Sequence, residues 1–380
     1  MITGLMEKVV NERSLPPKIL HVFDGFRVGG TEVRTCNVIN HLGKRFRHVV
    51  VSNNGNFDAA RHIEADIDVR YLHPKTTGGF YPKALLSICR ALREISPDLM
   101  IAYEWGAIDW VLVSRLVGCC PTIMTVEGFE DSELFVQNRR RLLIRRLLYG
   151  RCDKVVVCSR TLYDIALEKW KLQPPRLLHI PNGVDCRKFT PSAETRGQTG
   201  EVRLGVVASL IKLKNHIKLL KCLAELSESV HFSLHIAGEG PERENLKQFC
   251  RESGLDEKVH FLGHVHDTPS FLKGLDIFCL ASITEQMPMS VLEAMATGLP
   301  IVSTDVGDVK LMVSEENKPF ITDLDDDTQY TQALKKLIGD RSLRTVIGRA
   351  NRHKCLDLYD EQLMFKRYEE LYTTCIYAGN

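Results

Sequence analysis

The sequence predicts an α/β fold of two Rossmann-like domains in tandem. Three observations carry this reading. Short apolar runs alternate with segments of helical period, the sign of a doubly wound parallel sheet. The series is interrupted once, by the small, polar, glycine-bearing stretch TPSAETRGQTG at residues 190–200, which reads as a linker. The 380 residues are ample for two buried cores.

The first series opens after Pro16-Pro17 with Lys18–Phe23 (KILHVF), a short apolar run suited to a strand buried on both faces. Gly29-Gly30 follows. Thr31–Leu42 then places Val33, Cys36, Val38, Ile39 and Leu42 at helical spacing. His48–Ser52 and Val69–Leu72 read as strands, Pro82–Ile95 as a helix and Leu99–Ala102 as a strand. Ile108–Val117 is a helix and Thr122–Val126 a strand; Lys154–Cys158 and Leu177–Ile180 are the last strands of this half. In the second series Val202–Ala208 is a strand, His216–Leu226 a helix, and Phe232–Ala237 a strand ending in Gly238-Glu239-Gly240-Pro241. Val259–Leu262, Ile277–Ala281 and Ile301–Thr304 are further strands with helices between. The expected domains are residues 1–189 and 201–350, with 351–380 a C-terminal helix returning to the first.

Composition excludes several classes. Hydrophobic residues make up 44% and charged residues 26%, ordinary values for a globular chain. The net charge of +2 gives no sign of a nucleic-acid binder. It hides an asymmetry: residues 1–190 hold 28 basic and 20 acidic groups (+8), and the remainder 22 and 28 (−6). Twelve cysteines at irregular spacings, with no CxxC, read as free thiols rather than as a disulfide scaffold or zinc site. Residues 1–18 (MITGLMEKVVNERSLPPK) lack the apolar segment of a signal peptide, and no run approaches the ~18 apolar residues of a membrane span. A cytoplasmic protein is expected, and an exported solute-binding protein is not. A nicotinamide dehydrogenase would need GxGxxG after a first strand, and none is present. Asp66-Ile67-Asp68 reads as acids leading into a strand, Asp323–Asp327 as a solvated turn, and His260, His264 and His266 as exposed strand-edge histidines. No metal is expected.

The most informative segment is Thr284–Pro300, TEQMPMSVLEAMATGLP, just after the apolar run IFCLAS. Pro288 suits the opening of a helix, and Gly298 and Pro300 its close. Glu285 then falls in a loop at the C-terminal end of a strand, where open α/β sheets bind ligands. Glu293 falls on the helix. Between them the amides of Met289, Ser290 and Val291 face outward at a positive helix end, a site for phosphate. A loop acid beside such amides suits sugar hydroxyls, and an acid further along suits the two hydroxyls of a ribose.

This segment resembles the E-x7-E signature of retaining GT-B glycosyltransferases of family 4. The remaining motifs agree in order. Gly29-Gly30-Thr31-Glu32 is similar to the family's N-terminal glycine loop, and Pro181-Asn182-Gly183-Val184-Asp185 to its PNGVD segment. Lys214-Asn215, Gly238-Glu239-Gly240-Pro241, Phe261-Leu262-Gly263 and the C-terminal FKRYEELY follow. The resemblance covers residues 18–375 and implies two lobes facing across a cleft. It implies a nucleotide-sugar donor held mostly by the second lobe, and no divalent metal. It assigns Glu285 to the donor-sugar hydroxyls and to positive character at the anomeric carbon, and Glu293 to the ribose. Met287, Met289, Ser290 and Val291 would hold sugar and diphosphate through backbone amides. Lys214 would neutralise the leaving diphosphate, and Gly29 and Gly30 would approach it closely. His264 and Val265 stand where the base-binding loop runs.

Two departures matter. The family usually has an Arg where this chain has Ser209, so one diphosphate cation is missing; Lys212 is the substitute. Many members carry a His where this chain has Glu127. Glu127 either accepts sugar hydroxyls, acts as a base toward the acceptor, or caps a turn. The resemblance thus implies a metal-independent retaining transferase of the hexosyltransferase type. It would build a surface polysaccharide or glycolipid from a UDP- or GDP-sugar on a glycan or lipid-linked acceptor, at the inner face of the membrane. The alternative is a catalytically inactive nucleotide-sugar-binding or scaffold protein of the same fold; a nucleotide-sugar epimerase or a phosphorylase is the other enzyme reading. Asn138–Gly150 (NRRRLLIRRLLYG) has five Arg and no acid, with apolar and basic faces on a helix. It reads either as an attachment to an anionic membrane surface or as a packed helix with a basic solvent face. Trp105 and Trp110 line an acceptor cleft or pack in the core.

Overall fold

A computed structural model describes residues 15–74, 81–129, 133, 137–192 and 200–377. Residues 1–14, most of the stretch read for a signal peptide, and the linker centre, 193–199, lie outside them. The chain divides into two compact units: Met1–Ile180 with Phe365–Asn380, and Pro181–Met364.

The first unit holds β1 (Lys18–Phe23), α1 (Gly30–Leu42), β2 (Arg47–Ser52), β3 (Val69–Leu72), α2 (Tyr81–Ile95), β4 (Leu99–Tyr103), α3 (Ile108–Val117) and β5 (Thr122–Val126). It continues with α4 (Arg139–Ile144, extended by a wider turn over Arg145–Tyr149), β6 (Lys154–Val157), α5 (Arg160–Glu168) and β7 (Leu177–His179). The second unit holds β8 (Val202–Val207), α6 (His216–Leu226), β9 (Phe232–Ala237), α7 (Arg243–Glu252), β10 (Val259–Gly263), α8 (Thr268–Lys273) and β11 (Ile277–Leu280). After these come α9 (Met289–Ala296), β12 (Ile301–Thr304), α10 (Val309–Met312), β13 (Ile321–Thr322), α11 (Asp327–Gly339) and α12 (Arg341–Leu358). The last helix, α13 (Glu361–Tyr377), begins in the second unit and ends in the first.

Both sheets are parallel throughout, in the orders β3-β2-β1-β4-β5-β6-β7 and β10-β9-β8-β11-β12-β13. Strand order reverses between β1 and β4 in one sheet and between β8 and β11 in the other. Those switch points leave a crevice at the C-terminal strand ends, which is where each unit places its polar clusters. Strands β4, β5 and β11 are buried at every position, as sheets covered by helices on both faces require.

The unit boundary falls at Ile180–Pro181, ahead of the expected linker, because the PNGVD segment packs within the second unit. The buried Asn182 side chain donates to the Met287 carbonyl at 3.1 Å. The Val184 amide donates to the Tyr359 carbonyl, and the Glu361 amide to that of Val184. A Cβ on Gly183 would lie 2.6 Å from Glu361 Cα, so only glycine fits that crossing. Helix α12 likewise stays with the second unit, and the returning part starts at Phe365 rather than at residue 351.

The first core contains two histidines. His21 on β1 contacts the Tyr103 hydroxyl at 3.0 Å through Nδ1 and His48 Nδ1 at 3.2 Å through Nε2. Burial depresses both pKa values, and His48 falls to about 4. Both rings are therefore neutral in the native state. Between pH 6.5 and about 4 the unfolded chain takes up protons that the native rings refuse, so stability present above pH 6.5 is lost as pH falls. His48 alone contributes on the order of 3 kcal/mol to that loss. Urea unfolding at pH 7, 5.5 and 4 should show a falling midpoint. The fall should be smaller in a His21→Gln, His48→Gln chain; an equal slope would reject the assignment.

Candidate active site

In the first unit, Glu104 directly follows β4 and Glu127 directly follows β5, so both acids stand at the switch-point end of the sheet. Helix α1 rises from Gly29, an extended residue at its N-cap, and brings Thr31 and Arg34 to Glu127. Thr31 Oγ1 donates to Glu127 Oε2 at 2.9 Å, and Arg34 forms an ion pair with Oε1. The Arg34 guanidinium is buried, over the ring of Tyr368. The Glu127 amide donates to Glu104 Oε1 at 2.6 Å. Glu104 adopts φ +58°, a left-handed backbone that costs a non-glycine residue of order 1 kcal/mol or more. Burial, and then the charge of Glu127, push its carboxyl up to about 8. This four-residue cluster was only partly visible in the sequence. The sequence marks Glu127 and, through the glycine-loop motif, Thr31; nothing in it marks Arg34 or Glu104.

The arginines of α4 divide in a way their spacing did not indicate. Arg145 is buried and meets Glu133 with two parallel bonds, 3.0 and 2.7 Å, and Arg141 reaches the same carboxylate at 3.1 Å. Burial pushes the Glu133 carboxyl up, but bonds from Arg145, the Asn138 amide and Arg141 outweigh it and leave the pKa lowered. The Arg145 guanidinium also lies 5.2–5.6 Å from the ring centroids of Trp105, Phe129 and Trp170. Arg141 and Arg145 therefore do not belong to a basic solvent face. Trp110 is a core residue, 1% exposed, with its indole nitrogen donating to Asn53; Trp105 instead packs on Arg141 and Arg145.

In the second unit, the loop after β8 and the loop after β11 converge. Lys214 Nζ contacts Glu285 Oε1 at 2.5 Å, and Ser282 Oγ donates to the same oxygen at 2.7 Å. Gly307 sits beneath that loop at φ +54°. A Cβ there would come within about 2.5 Å of the Glu285 and Gln286 carbonyls, so the DVG that follows β12 is a packing requirement. The Asp308 amide closes the contact on the Gln286 carbonyl at 2.8 Å. Gly238 and Gly240 allow the turn after β9 to meet the backbone at Ala208 and Leu210, fixing the segment that carries Ser209.

At the start of α9 the Val291 amide is already bonded to the Pro288 carbonyl at 3.2 Å, and its side chain is fully buried. It is not an outward donor, because the first turn closes tightly on Pro288. The amides of Met289 and Ser290 remain at the helix end. Met287 is buried, and its sulfur accepts the Asn182 amide at 3.2 Å. Burial pushes the Glu293 carboxyl up to about 7. Ser209 is exposed, and its carbonyl contacts His216 Nε2 at 3.1 Å. Lys212 lines a small cavity with Glu242 and Leu246. Val265 is half-buried just beyond β10, and His264 packs edge-on against His266. A Cβ on Gly30 would meet nothing within 4 Å, whereas one on Gly29 would meet the Glu32 carboxylate.

Two family models account for nearly all of this. Residues 28–188 match Glycosyltransferase Family 4, and residues 192–354 match Glycosyl transferases group 1. The chain belongs to the family 4 glycosyltransferases. Among curated relatives, this glycosyltransferase is 29% identical over 368 residues to the lipopolysaccharide core biosynthesis glycosyltransferase LpsE of Rhizobium meliloti, covering 92% of this chain and 99% of that one. It is 26% identical over 313 residues to the UDP-Gal:alpha-D-GlcNAc-diphosphoundecaprenol alpha-1,3-galactosyltransferase of Escherichia coli, covering 76% and 79%. Its fold matches that of Anabaena Alr3699/HepE in complex with UDP, with a TM-score of 0.81, 18% identity, and coverage of 94% and 100%. The GT-B fold and the enzyme class inferred from the Glu285–Glu293 segment are thereby established.

Removing one member of the buried Arg34–Glu127 pair should expose the cost of the other. Arg34→Met is expected to destabilise the enzyme by about 3 kcal/mol, and Arg34→Met with Glu127→Gln by much less. Chemical denaturation of the three chains measures this; equal losses would contradict a coupled pair.

Proposed function

We propose that this glycosyltransferase transfers a sugar from a UDP- or GDP-sugar, with retention of configuration and without a metal, to a glycan or lipid-linked acceptor in surface polysaccharide or glycolipid synthesis. The observation that carries the reading is the Lys214–Glu285–Ser282 contact at the switch point of the second sheet. A solved neighbour, Alr3699/HepE, is in complex with UDP, and two curated relatives are named for lipopolysaccharide core synthesis and for a diphosphoundecaprenol-linked acceptor. These support the donor and acceptor classes.

The mechanism follows from charge. As the glycosidic bond to the diphosphate breaks, negative charge grows on the leaving oxygen and positive charge on the anomeric carbon. Lys214 and the amides of Met289 and Ser290 face the first, and the Glu285 carboxylate the second. The acceptor hydroxyl attacks from the side the diphosphate leaves, which retains configuration and needs positioning more than a strong base. Glu293 takes the ribose hydroxyls. In the first unit Glu127, held by Arg34 and Thr31, accepts sugar hydroxyls.

Glu285→Ala should abolish transfer from the cognate UDP- or GDP-sugar while leaving thermal unfolding unchanged, and the wild-type enzyme should keep its rate in EDTA. A radiolabelled-sugar transfer assay reads both. Unchanged turnover in the variant would sink the role of Glu285, and complete loss in chelator the metal independence.

The membrane reading rests on a different residue set from the one the spacing suggested. Among the described residues, no helix is long and apolar enough to cross a membrane. Along α4, Leu143 and Leu147 are 56% and 47% exposed, and Arg139, Arg140 and Arg146 are exposed beside them. Apolar side chains flanked by cations suit an anionic lipid surface. Leu143→Ser, Leu147→Ser, Arg139→Glu and Arg140→Glu together should weaken cosedimentation with phosphatidylglycerol vesicles at least tenfold. Equal binding by that variant would reject the surface.

A further inference from the structure

The second unit carries another concave site, at the end of its sheet opposite Glu285. Asp276 and Pro300, the residues that immediately precede β11 and β12, line a cavity of about 500 Å³. The facing wall is one side of α12, where Arg341, Arg344, Thr345, Gly348, Arg349 and Arg352 recur at helical spacing. Gly348 is what brings this wall in. A Cβ there would collide with the Gly298 carbonyl, so the helix rests directly on the turn that precedes β12.

Two of the arginines are built into the wall. Arg344 is 8% exposed, and its Nη1 donates to the carbonyls of Leu337 and Ile338 at 2.7 and 2.9 Å. Arg352 donates to the carbonyls of Phe189, Ala296 and Cys186 at 2.6–2.8 Å. Neither meets a carboxylate within ion-pair distance among the described residues, although Asp276 and Asp340 act on Arg344 from further off, so both charges are fixed in place without a direct ion pair. Arg341 and Arg349 are exposed at the mouth, and among the described residues their side chains make no hydrogen bond or ion pair. The lining acid is Asp276, which is buried and already accepts the Arg203 amide at 2.9 Å. Four guanidiniums against one carboxylate on a concave wall repel one another, and surfaces ordinarily intersperse acids in such a patch. A guanidinium is also the side chain whose planar fork matches phosphate oxygens in pairs. The volume lies within the range of small-ligand sites.

We propose that this cavity binds a phosphate-bearing anion, grasped at the mouth by Arg341 and Arg349 in the field of Arg344 and Arg352. The site is separate from the donor site and does not depend on that reading. A soluble phosphorylated metabolite and an anionic lipid headgroup share this chemistry, and the experiment distinguishes them.

The test uses the full chain with Lys214→Ala, which removes the donor-site cation. Isothermal titration with inorganic pyrophosphate at physiological ionic strength should show one binding event, weakened at least tenfold by adding Arg341→Gln and Arg349→Gln. Both residues are exposed, so thermal unfolding should not change. Cosedimentation with phosphatidylglycerol vesicles forms the second arm. Pyrophosphate binding lost in the double substitution identifies a soluble anion, and vesicle binding lost in it identifies a headgroup; either supports the site. Binding of both probes that ignores Arg341 and Arg349, or binding of neither by the Lys214→Ala chain, overturns it.

Discussion

A parallel sheet opens all its C-terminal strand ends on one side, and where strand order reverses the loops leave that side in opposite directions. The two polar clusters of this chain follow from that constraint being met twice. The β1/β4 reversal holds Thr31, Arg34, Glu104 and Glu127 together from three stretches of sequence. The β8/β11 reversal holds Lys214, Ser282 and Glu285. The glycines that matter serve the same geometry: Gly307 lets one strand's exit loop rest on another's, and Gly183 lets the chain cross α13.

Charge within these clusters is locally balanced although the whole chain is not. Glu127 is met by Arg34, Glu133 by Arg145 and Arg141, and Glu285 by Lys214. The Arg34–Glu127 and Lys214–Glu285 pairs join segments far apart in sequence, so each fixes a loop as well as a charge, whereas the Glu133 pairs are local. Removing Glu127 or Glu133 costs more than either pair contributes, because the arginine left behind stays buried, whereas Lys214 is partly exposed and can meet water once Glu285 is gone. The +8 excess of residues 1–190 is accordingly not a diffuse field; part of it is committed inward at Arg34 and Arg145. In the acidic half the positive potential is concentrated instead on α12, away from Glu285.

The strands were legible because both faces of each sheet are covered, which makes apolar runs such as KILHVF and TIMTV nearly continuous. The order of the motifs pointed to the loop and helix that carry Glu285 and Glu293, and the structure places that loop at the switch point of the second sheet. What escaped was whatever depends on tertiary pairing. Helical spacing placed Arg141 and Arg145 on a basic face, but spacing does not reveal that Glu133, from the preceding segment, would take both. The outward amides after Pro288 were inferred from helix polarity; the tight first turn consumes that of Val291. Glu104 gave no signal at all, since its left-handed backbone and its bond to the Glu127 amide exist only once β4 and β5 lie side by side. The domain boundary moved for the same reason: a polar linker shows where chain is dispensable, whereas Asn182 and Gly183 show where it is packed.

The aromatic pocket around Arg145 has a practical consequence. The chain has three tryptophans, Trp105, Trp110 and Trp170, and all belong to the first unit. Two of them stack on the guanidinium that Glu133 holds, and the third is sealed in the core. Indole emission is therefore a spectroscopic label for one half of the molecule, present without engineering. The other half is optically silent in that channel, so the two units' unfolding transitions are separable within a single sample.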